Sequence, residues 1–402
     1  MLSLSKQLFQ LGKEVIQIIK KANYEAFFVG GCVRDLLLQE KITDIDIATN
    51  ATPNEITALF HHVIPIGIEH GTVIVRYKKH SFEVTTYRTE GTYSDKRHPD
   101  YVNFITSIEE DLKRRDFTIN ALAMDETGEI IDLFNGQEDL KNQRIKAVGQ
   151  PKERFEEDPL RIIRALRFSS QLGFTIEKNT LEQMKRNRKN LQSIAIERIN
   201  EEMRKFFASE HISKGILYLK QSKVYEQLPI FKEEPLYVQY LFENFIPLTS
   251  FAEVIAYFYL QNKKYPIQKW IREWKCSNKV KKDAQTLVQS IESYQKNGLH
   301  PMLVFNLPEE LFNSFVRLTN FIENTNLTVQ DVKNINNSLI IHSKNELNIK
   351  GNDLIEYYSE IKPGPWIEHM LKRMTEKVVL QELENDYKQL KEWVKCNPPK
   401  EI

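Results

Sequence analysis

Apolar and polar residues follow two different patterns along the chain. Up to about Val148 short apolar runs alternate with helical segments, whereas beyond Pro151 strand signals nearly vanish and apolar residues recur at helical spacing. The runs Gly71–Tyr77 and Ser81–Arg88 are rich in β-branched and aromatic residues and are separated by a short basic turn, which predicts a β-hairpin. The pattern therefore predicts an α+β protein with a small mixed sheet in its first part and helices in the remainder.

Breaks in the helical periodicity indicate where the chain divides. The clearest lie at residues 149–151, around 208–213 and in the polar region 324–345. With 402 residues the chain is long enough for two to four domains with cores of their own. We expect a mixed head and about three helical subdomains.

The stretch FFVGG, residues 27–31, combines a strand signal with two glycines. Phe27, Phe28 and Val29 predict a buried strand, and Gly30 and Gly31 allow the backbone to turn sharply and a bulky anion to approach it. A helix beginning at Cys32 or Val33 directs its free N–H groups and positive dipole end towards that anion. The arrangement favours phosphate binding.

The segment Asp44-Ile45-Asp46-Ile47 follows within the same stretch. Its period-2 alternation predicts a half-buried strand with both carboxylates on one face and both isoleucines in the core. Two such carboxylates can hold Mg²⁺ without a complete protein cage. A solvated strand edge is the commoner origin of an Asp-x-Asp pattern, but the glycines immediately upstream favour nucleotide chemistry.

Composition narrows the class of protein. Lys and Arg total 56 against 55 Asp and Glu, so any nucleic-acid partner must be held by local basic patches. Cys32, Cys276 and Cys396 are too few and too scattered for a disulfide framework or a zinc site, and they fit a reducing compartment. The N-terminal segment predicts an amphipathic helix, and no apolar run reaches the length of a membrane span. We expect a soluble cytoplasmic protein.

Two further segments suggest nucleotide contacts. Residues 90–104 are polar, lack either period and predict a long loop, which is either functional or a disordered surface excursion. The segment KRRDFTINALA, residues 113–123, places Arg114 and Arg115 where they could clamp phosphates. A solvated helix start is the alternative for this second segment.

The segment Lys152–Ser169 predicts one helix with an arginine-lined face. Such a face is costly to bury unless a ligand or partner charges accompany it. Asp158 and Arg161 lie three residues apart on this face. They either form a simple salt bridge or present donors and acceptors to the edge of a base.

Residues 261–283 interleave basic and aromatic side chains. The lysines form a candidate track for RNA phosphates. Trp270 and Trp274 at i and i+4 are more typical of a core stripe than of a stacking platform.

Taken together, these motifs resemble those of the bacterial class II tRNA nucleotidyltransferases, the CCA-adding enzymes, in the DNA polymerase β-like superfamily. The motifs occur in order along nearly the whole chain: GGCVRD (Gly30–Asp35), DIDIAT (Asp44–Thr49), RRDFTINALA (Arg114–Ala123), DLFNGQEDL (Asp132–Leu140), EEDPLRIIRALRF (Glu156–Phe168), ERINEEM (Glu197–Met203), LNIKGNDLI (Leu347–Ile355) and GPW (Gly364–Trp366). The resemblance implies a seahorse-shaped protein with a catalytic head at residues 1–148, a neck with the nucleobase site at 149–208, a body at 209–325 and a tRNA-binding tail at 326–402.

The resemblance also implies roles for individual residues. Asp44 and Asp46 match the catalytic carboxylates that bind two Mg²⁺ ions, and Glu83 is a candidate for a third carboxylate. The residues that match nucleotide contacts are Gly31, Arg34 and Arg115 for the phosphates, Asp158 and Arg161 for the base, and Arg164 and Arg167 as further contacts. The implied reaction adds CCA to the 3′ end of tRNA from CTP and ATP, and the protein is expected to be a monomer or a homodimer.

Several alternatives stay open at this point. They are a relative that adds only CC or only A, a poly(A) polymerase, and a non-catalytic RNA-binding protein. The full length of residues 90–104 favours complete CCA addition, because CC-adding relatives lack the flexible loop. The hinge of the family usually contains Gly-Gly, whereas this chain has Asn135-Gly136, and Asn tolerates the left-handed backbone.

Overall fold

The computed structural model describes residues 2–66, 71–90 and 102–399. Most of the predicted loop at residues 90–104 therefore lies outside the described residues. The chain forms two compact units, one of Met1–Pro247 with Glu273–Lys275 and one of Leu248–Arg272 with Cys276–Ile402. The finer division into head, neck, body and tail stays a prediction.

The strands are β1 (Ala26–Val29), β2 (Asp46–Thr49), β3 (Val63–Pro65), β4 (Thr72–Tyr77), β5 (His80–Thr86), β6 (Arg88–Glu90), β7 (Val102–Phe104), β8 (Ala123–Met124), β9 (Ile130–Ile131), β10 (Arg144–Ile145) and β11 (Thr175–Ile176). The helices of the first unit are α1 (Leu2–Lys21), α2 (Gly31–Leu37), α3 (Pro53–Leu59), α4 (Ile108–Lys113), α5 (Gly136–Lys141), α6 (Pro151–Glu157), α7 (Leu160–Leu172), α8 (Lys178–Asn187), α9 (Ile196–Phe207) and α10 (Ile212–Ser222). Those that follow are α11 (Phe251–Gln261), α12 (Ile267–Glu273), α13 (Asn278–Asn297), α14 (Pro301–Phe305), α15 (Phe312–Glu323), α16 (Val329–Ser338), α17 (Gly351–Tyr357), α18 (Pro365–Val379) and α19 (Tyr387–Cys396).

A mixed sheet forms the centre of the head. Its described strands run in the order β3-β4-β5-β2-β1-β8-β9, and β2 and β5 are parallel whereas the other neighbouring pairs are antiparallel. The predicted hairpin is confirmed as β4 and β5, joined by Lys78 and Lys79 with φ of 46° and 68°. Positive φ at both turn residues matches the twist of the flanking strands. The predicted α+β class with a small mixed-sheet head is confirmed.

The segment that follows β1 folds nearly as its pattern predicts. Gly30 turns the chain with φ of 71°, and α2 begins at Gly31, one residue before the predicted start. Ile45 and Ile47 are buried as expected, at 1% and 0% exposure. Asp44, however, precedes β2 instead of lying within it, because β2 begins only at Asp46.

The predicted single helix over 152–169 is wrong. The chain forms α6 and α7 with a break at Asp158-Pro159, where Asp158 has the extended angles φ −133° and ψ 97°. Proline has no N–H to donate and disfavours helical angles in the residue before it. Asp158 therefore lies between the two helices and not on the helix that carries Arg161, Arg164 and Arg167.

Two smaller expectations also change. The segment 113–123 follows a helix end, because α4 ends at Lys113, so the helix-start alternative is wrong. In the part predicted to be all helical, β11 pairs in parallel with β10. A strand of two residues is too short to leave a periodic signal in the sequence.

Two tryptophans of the basic segment lie in the protein interior. Trp270 and Trp274 are each 1% exposed, which confirms their interpretation as core residues.

Among the described residues, no helix is both long and apolar enough to cross a membrane.

Candidate active site

One cleft of about 950 Å³ in the first unit brings the predicted site residues together. Side chains from the sheet, from the loop after α4 and from the break between α6 and α7 line it. All of the predicted site residues are part of this lining: Gly31, Arg34, Asp44, Asp46, Arg115, Asp158, Arg161, Arg164 and Arg167. Glu83 lines the same cleft.

The acidic end of the cleft lies at the sheet. Asp46 on β2 is in register with Glu83 on the parallel strand β5, and Asp44 lies two residues upstream of Asp46. Burial, together with the nearby charge of Glu83 and against the opposing charge of Arg115, raises the pKa of Asp46 to about 6. A cation that binds nearby stabilises the charged form of such a carboxylate.

This donor set fits Mg²⁺ better than a metal held wholly by protein ligands. Mg²⁺ prefers oxygen ligands and usually keeps several waters or substrate phosphates in its coordination shell. Asp44 is exposed, and Asp46 is partly buried, so both can face a bound ion and its remaining ligands. Among the described residues no three acidic, His or Cys side chains converge as a complete metal site.

Gly30 lies at a position that favours glycine, because its backbone is left-handed and lies close to Arg115. A Cβ added at Gly30 would lie 2.7 Å from Nη1 of Arg115, and the φ of this residue is left-handed. Nη1 of Arg34 donates to Oδ1 of Asn120 at 2.7 Å, and the guanidinium pairs with Asp35. The turn thus keeps two guanidinium groups close to the start of α2.

A buried carboxylate orients the paired arginines of the RRD motif. Asp111 is 1% exposed, and it accepts from Arg114 at 2.6 Å and from Arg115 at 3.1 Å. Burial by itself would raise the pKa of Asp111, but the charges of Arg115 and Arg114 lower it below its ordinary value. The sequence reading missed Asp111, although its i, i+3 and i, i+4 spacing to the two arginines is a local signal.

Asp158 and Arg161, the base-reading pair predicted from the sequence, do not form a salt bridge with each other. Arg161 donates to Oε2 of Glu157 at 2.5 Å and to the backbone carbonyl of Arg114 at 2.8 Å. Asp158 accepts from the backbone N–H of Leu160 at 3.0 Å. The simple salt bridge is therefore wrong, because the break at Pro159 separates the two side chains.

Arg198 on α9 is a residue that the sequence reading missed. Its Nη2 lies 3.3 Å from Oδ2 of Asp158, and both side chains line the cleft. The two residues are 40 positions apart, so no local pattern reveals the pair.

Partner carboxylates accompany the arginine-lined face of α7. Arg164 pairs with Asp116 at 2.7 Å, and Arg167 pairs with Glu202 of α9 at 2.6 Å. Burial would raise the pKa of Asp116, but the charge of Arg164 and hydrogen bonds from Asn120 and Arg164 lower it to about 2. The predicted requirement for partner charges is thus met within the protein.

Three protein families match successive parts of the chain. Residues 26–146 match the Poly A polymerase head domain, residues 173–234 match a probable RNA and SrmB-binding site of polymerase A, and residues 247–394 match a putative tRNA nucleotidyltransferase domain 2. The matched regions cover the acidic end of the cleft but not α7.

Whole-length relatives agree with these matches. The chain is 48% identical over 392 residues to the CCA-adding enzyme of Oceanobacillus iheyensis, which covers 97% of this chain and 98% of that one. The crystal structure of the Bacillus stearothermophilus CCA-adding enzyme in complex with CTP is 33% identical, with a TM-score of 0.87, and covers 96% of this chain and 97% of that one. The Thermotoga maritima CCA-adding enzyme complexed with tRNA shares the fold, with a TM-score of 0.61 at 21% identity over 98% of this chain and 95% of that one.

Proposed function

The chain belongs to the CCA-adding enzymes, a family of tRNA nucleotidyltransferases, and we propose that it adds the complete CCA sequence to the 3′ end of tRNA from CTP and ATP. The observation that carries the proposal is the single cleft in which Asp44 and Asp46 lie with an arginine cluster and with Asp158 and Arg161. Such a cleft supplies groups for the metal, the triphosphate and the base of one nucleotide.

The proposed reaction is an in-line nucleotidyl transfer. The 3′ oxygen of the tRNA forms a bond to the α-phosphorus, the bond from that phosphorus to the bridging oxygen breaks, and pyrophosphate leaves with the electron pair while the hydroxyl proton is released. Asp44 and Asp46 would hold two Mg²⁺ ions, which make the hydroxyl more acidic and balance the charge of the leaving pyrophosphate. Glu83 adds negative charge beside Asp46 and favours the retention of cations there.

Positive groups of the cleft bind the triphosphate in this proposal. Arg34 and Arg115 lie beside the Gly30 turn, and each is oriented by hydrogen bonds within the head. Gly31 contributes backbone that a phosphate can approach closely. Arg164 and Arg167 extend the positive surface along α7. These contacts do not depend on the base, so they serve CTP and ATP alike.

The base is selected by Asp158 and Arg161. A guanidinium can donate to O2 and N3 of cytosine or to N1 of adenine, and a carboxylate can accept from the exocyclic amino group of either base. Uracil and guanine present a carbonyl where C and A present that amino group. The arrangement thus explains why one protein site could accept C and A and reject U and G without a nucleic-acid template.

Incorporation assays test this proposal against the alternatives. A tRNA that lacks its 3′ end is incubated with the protein and Mg²⁺, with CTP alone, ATP alone or both. We expect two C residues with CTP alone and complete CCA with both nucleotides. A product that stops after two C residues in the presence of both nucleotides would indicate a CC-adding enzyme, and a long A tract would indicate a poly(A) polymerase.

Two variants separate catalysis from RNA binding. Asp44→Ala and Asp46→Ala should each abolish incorporation, because each removes a proposed metal ligand, while binding of the tRNA measured by filter retention should persist. Activity of the Asp44→Ala protein would contradict the assignment. If the wild-type chain bound tRNA without incorporating any nucleotide, the non-catalytic alternative would replace the proposal.

The remaining expectations concern partners and location. The lysines within residues 261–283 and the predicted tail at 326–402 are proposed to bind the tRNA. A cytoplasmic location stays a prediction that cell fractionation can test. A monomeric or homodimeric state stays a prediction that size-exclusion chromatography can test.

A further inference from the structure

Three arginines of the cleft surround one aromatic ring. The guanidinium carbons of Arg34, Arg164 and Arg167 lie 5.3, 5.3 and 4.0 Å from the ring centroid of Phe168. Phe168 is only 3% exposed, yet it belongs to the lining of the cleft. On another side its ring meets Phe117 at a centroid distance of 5.8 Å and an interplanar angle of 83°. The ring is therefore held in place by the core while it faces the arginine cluster.

The three arginines come from two helices. Arg34 lies on α2 of the head, and Arg164 and Arg167 lie on α7. Arg164 and Arg167 share Glu202, and the other polar partners differ: Asp35 and Asn120 for Arg34, Asp116 for Arg164, and Gln171 for Arg167. Phe168 is a neighbour that all three have in common.

Carboxylates and the aromatic ring together stabilise this arginine cluster. Three like charges that gather around one point repel one another unless anions or polarizable groups stabilise them. The face of an aromatic ring is negative and attracts guanidinium groups that lie within about 6 Å of its centroid. Burial lowers the pKa of Arg167, although Glu202 opposes this change. Burial also opposes the charge of Arg164, but Asp116 and Glu202 raise its pKa. Asp35, Asp116 and Glu202 already accompany the three arginines, and the ring of Phe168 is a further stabilising neighbour that all three share.

We propose that Phe168 is a positioning residue for the triphosphate, because its ring holds Arg34, Arg164 and Arg167 in one geometry that suits the phosphates of either CTP or ATP. The inference rests on the proposed function, in which these arginines bind the nucleotide. Phe168 touches the arginines and acts through them, so it affects both nucleotides equally and leaves the choice of base to Asp158 and Arg161.

A purely structural role for Phe168 makes a different prediction. As a core residue, the ring would contribute through its volume and apolar surface, and any aromatic group of similar size would serve. As a positioning residue, it contributes through the negative charge of its face. Replacing Phe168 by mono-, di- and trifluorophenylalanine weakens that charge stepwise and changes the volume little, so this series separates the two roles.

The experiment measures nucleotide binding in three ways on the full chain. The KM values for CTP and for ATP are determined on tRNA substrates that end one step before each addition. Binding of CTP in the presence of Mg²⁺ is measured by calorimetry without tRNA, and inhibition by pyrophosphate provides a probe that has no base. We expect both KM values, the Kd of CTP and the inhibition constant of pyrophosphate to rise together, by about three- to tenfold for the trifluoro variant.

We expect the fluorinated variants to keep the turnover number and the nucleotide selectivity of the wild type. The turnover number and the ratio of correct to incorrect nucleotides should stay within about twofold of the wild type, and the melting temperature should follow that of the control. The matched control is the same series at Phe174, which is 4% exposed in the same unit and is not among the described residues that line the cleft. This control should change none of the binding constants.

The outcomes distinguish failure of this inference from failure of the proposed function. If the wild-type chain transfers nucleotides and the fluorinated variants at Phe168 bind CTP, ATP and pyrophosphate as the wild type does, the ring is only a core residue. A change confined to one nucleotide would likewise overturn the inference, because it would place Phe168 in base selection. If the wild-type chain incorporates no nucleotide, the proposed function fails first, and CTP binding by calorimetry still tests the role of Phe168. Phe168→Leu, which removes the ring face altogether, should raise the same constants further than the trifluoro variant does.

Discussion

Asp46 and Glu83 lie side by side on the parallel strands β2 and β5, in direct register. Burial, together with the nearby charge of Glu83, raises the pKa of Asp46 to about 6. A pair of this kind is stabilised when a cation binds between or beside the two groups. Glu83 thus lies at the acidic end of the cleft, beside Asp46. The sequence only suggested this position.

We expect Glu83→Gln to weaken the response of the enzyme to Mg²⁺. The substitution keeps the shape of the side chain and removes one negative charge beside Asp46, so a higher Mg²⁺ concentration should be needed for half-maximal activity. Loss of a supporting group at a metal site typically costs about 10- to 100-fold in metal affinity or activity. Activity measured over a range of Mg²⁺ concentrations checks this expectation.

Glu110→Gln is the control for this variant. Glu110 is exposed on α4 in the head and is not among the described residues that line the cleft. It should respond to Mg²⁺ as the wild type does. Equal Mg²⁺ dependence of Glu83→Gln and Glu110→Gln would remove Glu83 from the site.

A second prediction concerns Arg198, which pairs with Asp158. If the guanidinium of Arg198 is removed, the carboxylate of Asp158 loses a charged partner at 3.3 Å. It then also loses its fixed orientation towards the base. Hydrogen bonds between charged groups contribute about 1.5–3 kcal/mol, so Arg198→Ala should raise misincorporation of U and G about tenfold or more. Competition between all four nucleotides measures this effect.

Two further variants test whether Arg198 acts through Asp158. Arg204→Ala removes an equal charge from an exposed position on the same helix and should leave selectivity intact. Combining Arg198→Ala with Asp158→Ala should add little to the selectivity loss of Asp158→Ala alone, because both changes remove one function. Additive losses would show that Arg198 acts on the nucleotide independently.

A third prediction concerns the turn before α5. A Cβ at Gly136 would lie 2.3 Å from the backbone oxygen of Thr118, so Gly136→Ala forces backbone to move and should cost about 1–3 kcal/mol of stability. Asn135 has φ of 59° and ψ of 38°, as its tolerance of the left-handed region predicted. Asn135→Gly should therefore stay within about 1 kcal/mol of the wild type. Urea unfolding followed by circular dichroism compares the two variants, and equal midpoints would contradict the steric argument.

The fourth prediction follows from the pKa of Asp116, which is lowered from 3.8 to about 2 in the folded protein. A carboxyl whose folded pKa is depressed stabilises the protein above its unfolded pKa, and this stabilisation is lost as the pH falls towards the folded value. The shift corresponds to about 2 kcal/mol at neutral pH. Asp116→Asn should thus lower the unfolding free energy at pH 7, and the difference from the wild type should shrink between about pH 4 and pH 2.

Unfolding midpoints of the wild type and of Asp116→Asn at pH 7, pH 4 and pH 2.5 test this dependence. Asp125→Asn serves as the comparison. Burial by itself would raise the pKa of Asp125, but hydrogen bonds from its own loop, and not an arginine, lower it below its ordinary value. Addition of salt should reduce the effect of Asp116→Asn in part, because Asp116 is buried whereas the side chain of Arg164 is 32% exposed in the cleft. A difference that does not change with pH would show that the Asp116 charge has no part in stability.

Much of the fold follows from local patterns. The hairpin of β4 and β5, the glycine turn after β1 and the burial of Ile45 and Ile47 depend on neighbouring residues, and short-range periodicity indicates each of them. The break at Pro159 is also a local signal, because proline disfavours a continuous helix, although the apolar periodicity on either side concealed it. Local interactions are present in the sequence itself, so these elements could be read from it.

By itself, the sequence determined which residue types are available for the metal, the phosphates and the base. Only the tertiary structure decided which of these charges meet, since Arg167 reaches Glu202 and Asp158 reaches Arg198 through the packing of α7 and the preceding turn against α9. Residues some 35 to 48 positions apart leave no periodic trace of their contact. The physical reason is that the partner of a buried charge depends on how whole helices pack, and this packing is a property of the complete fold.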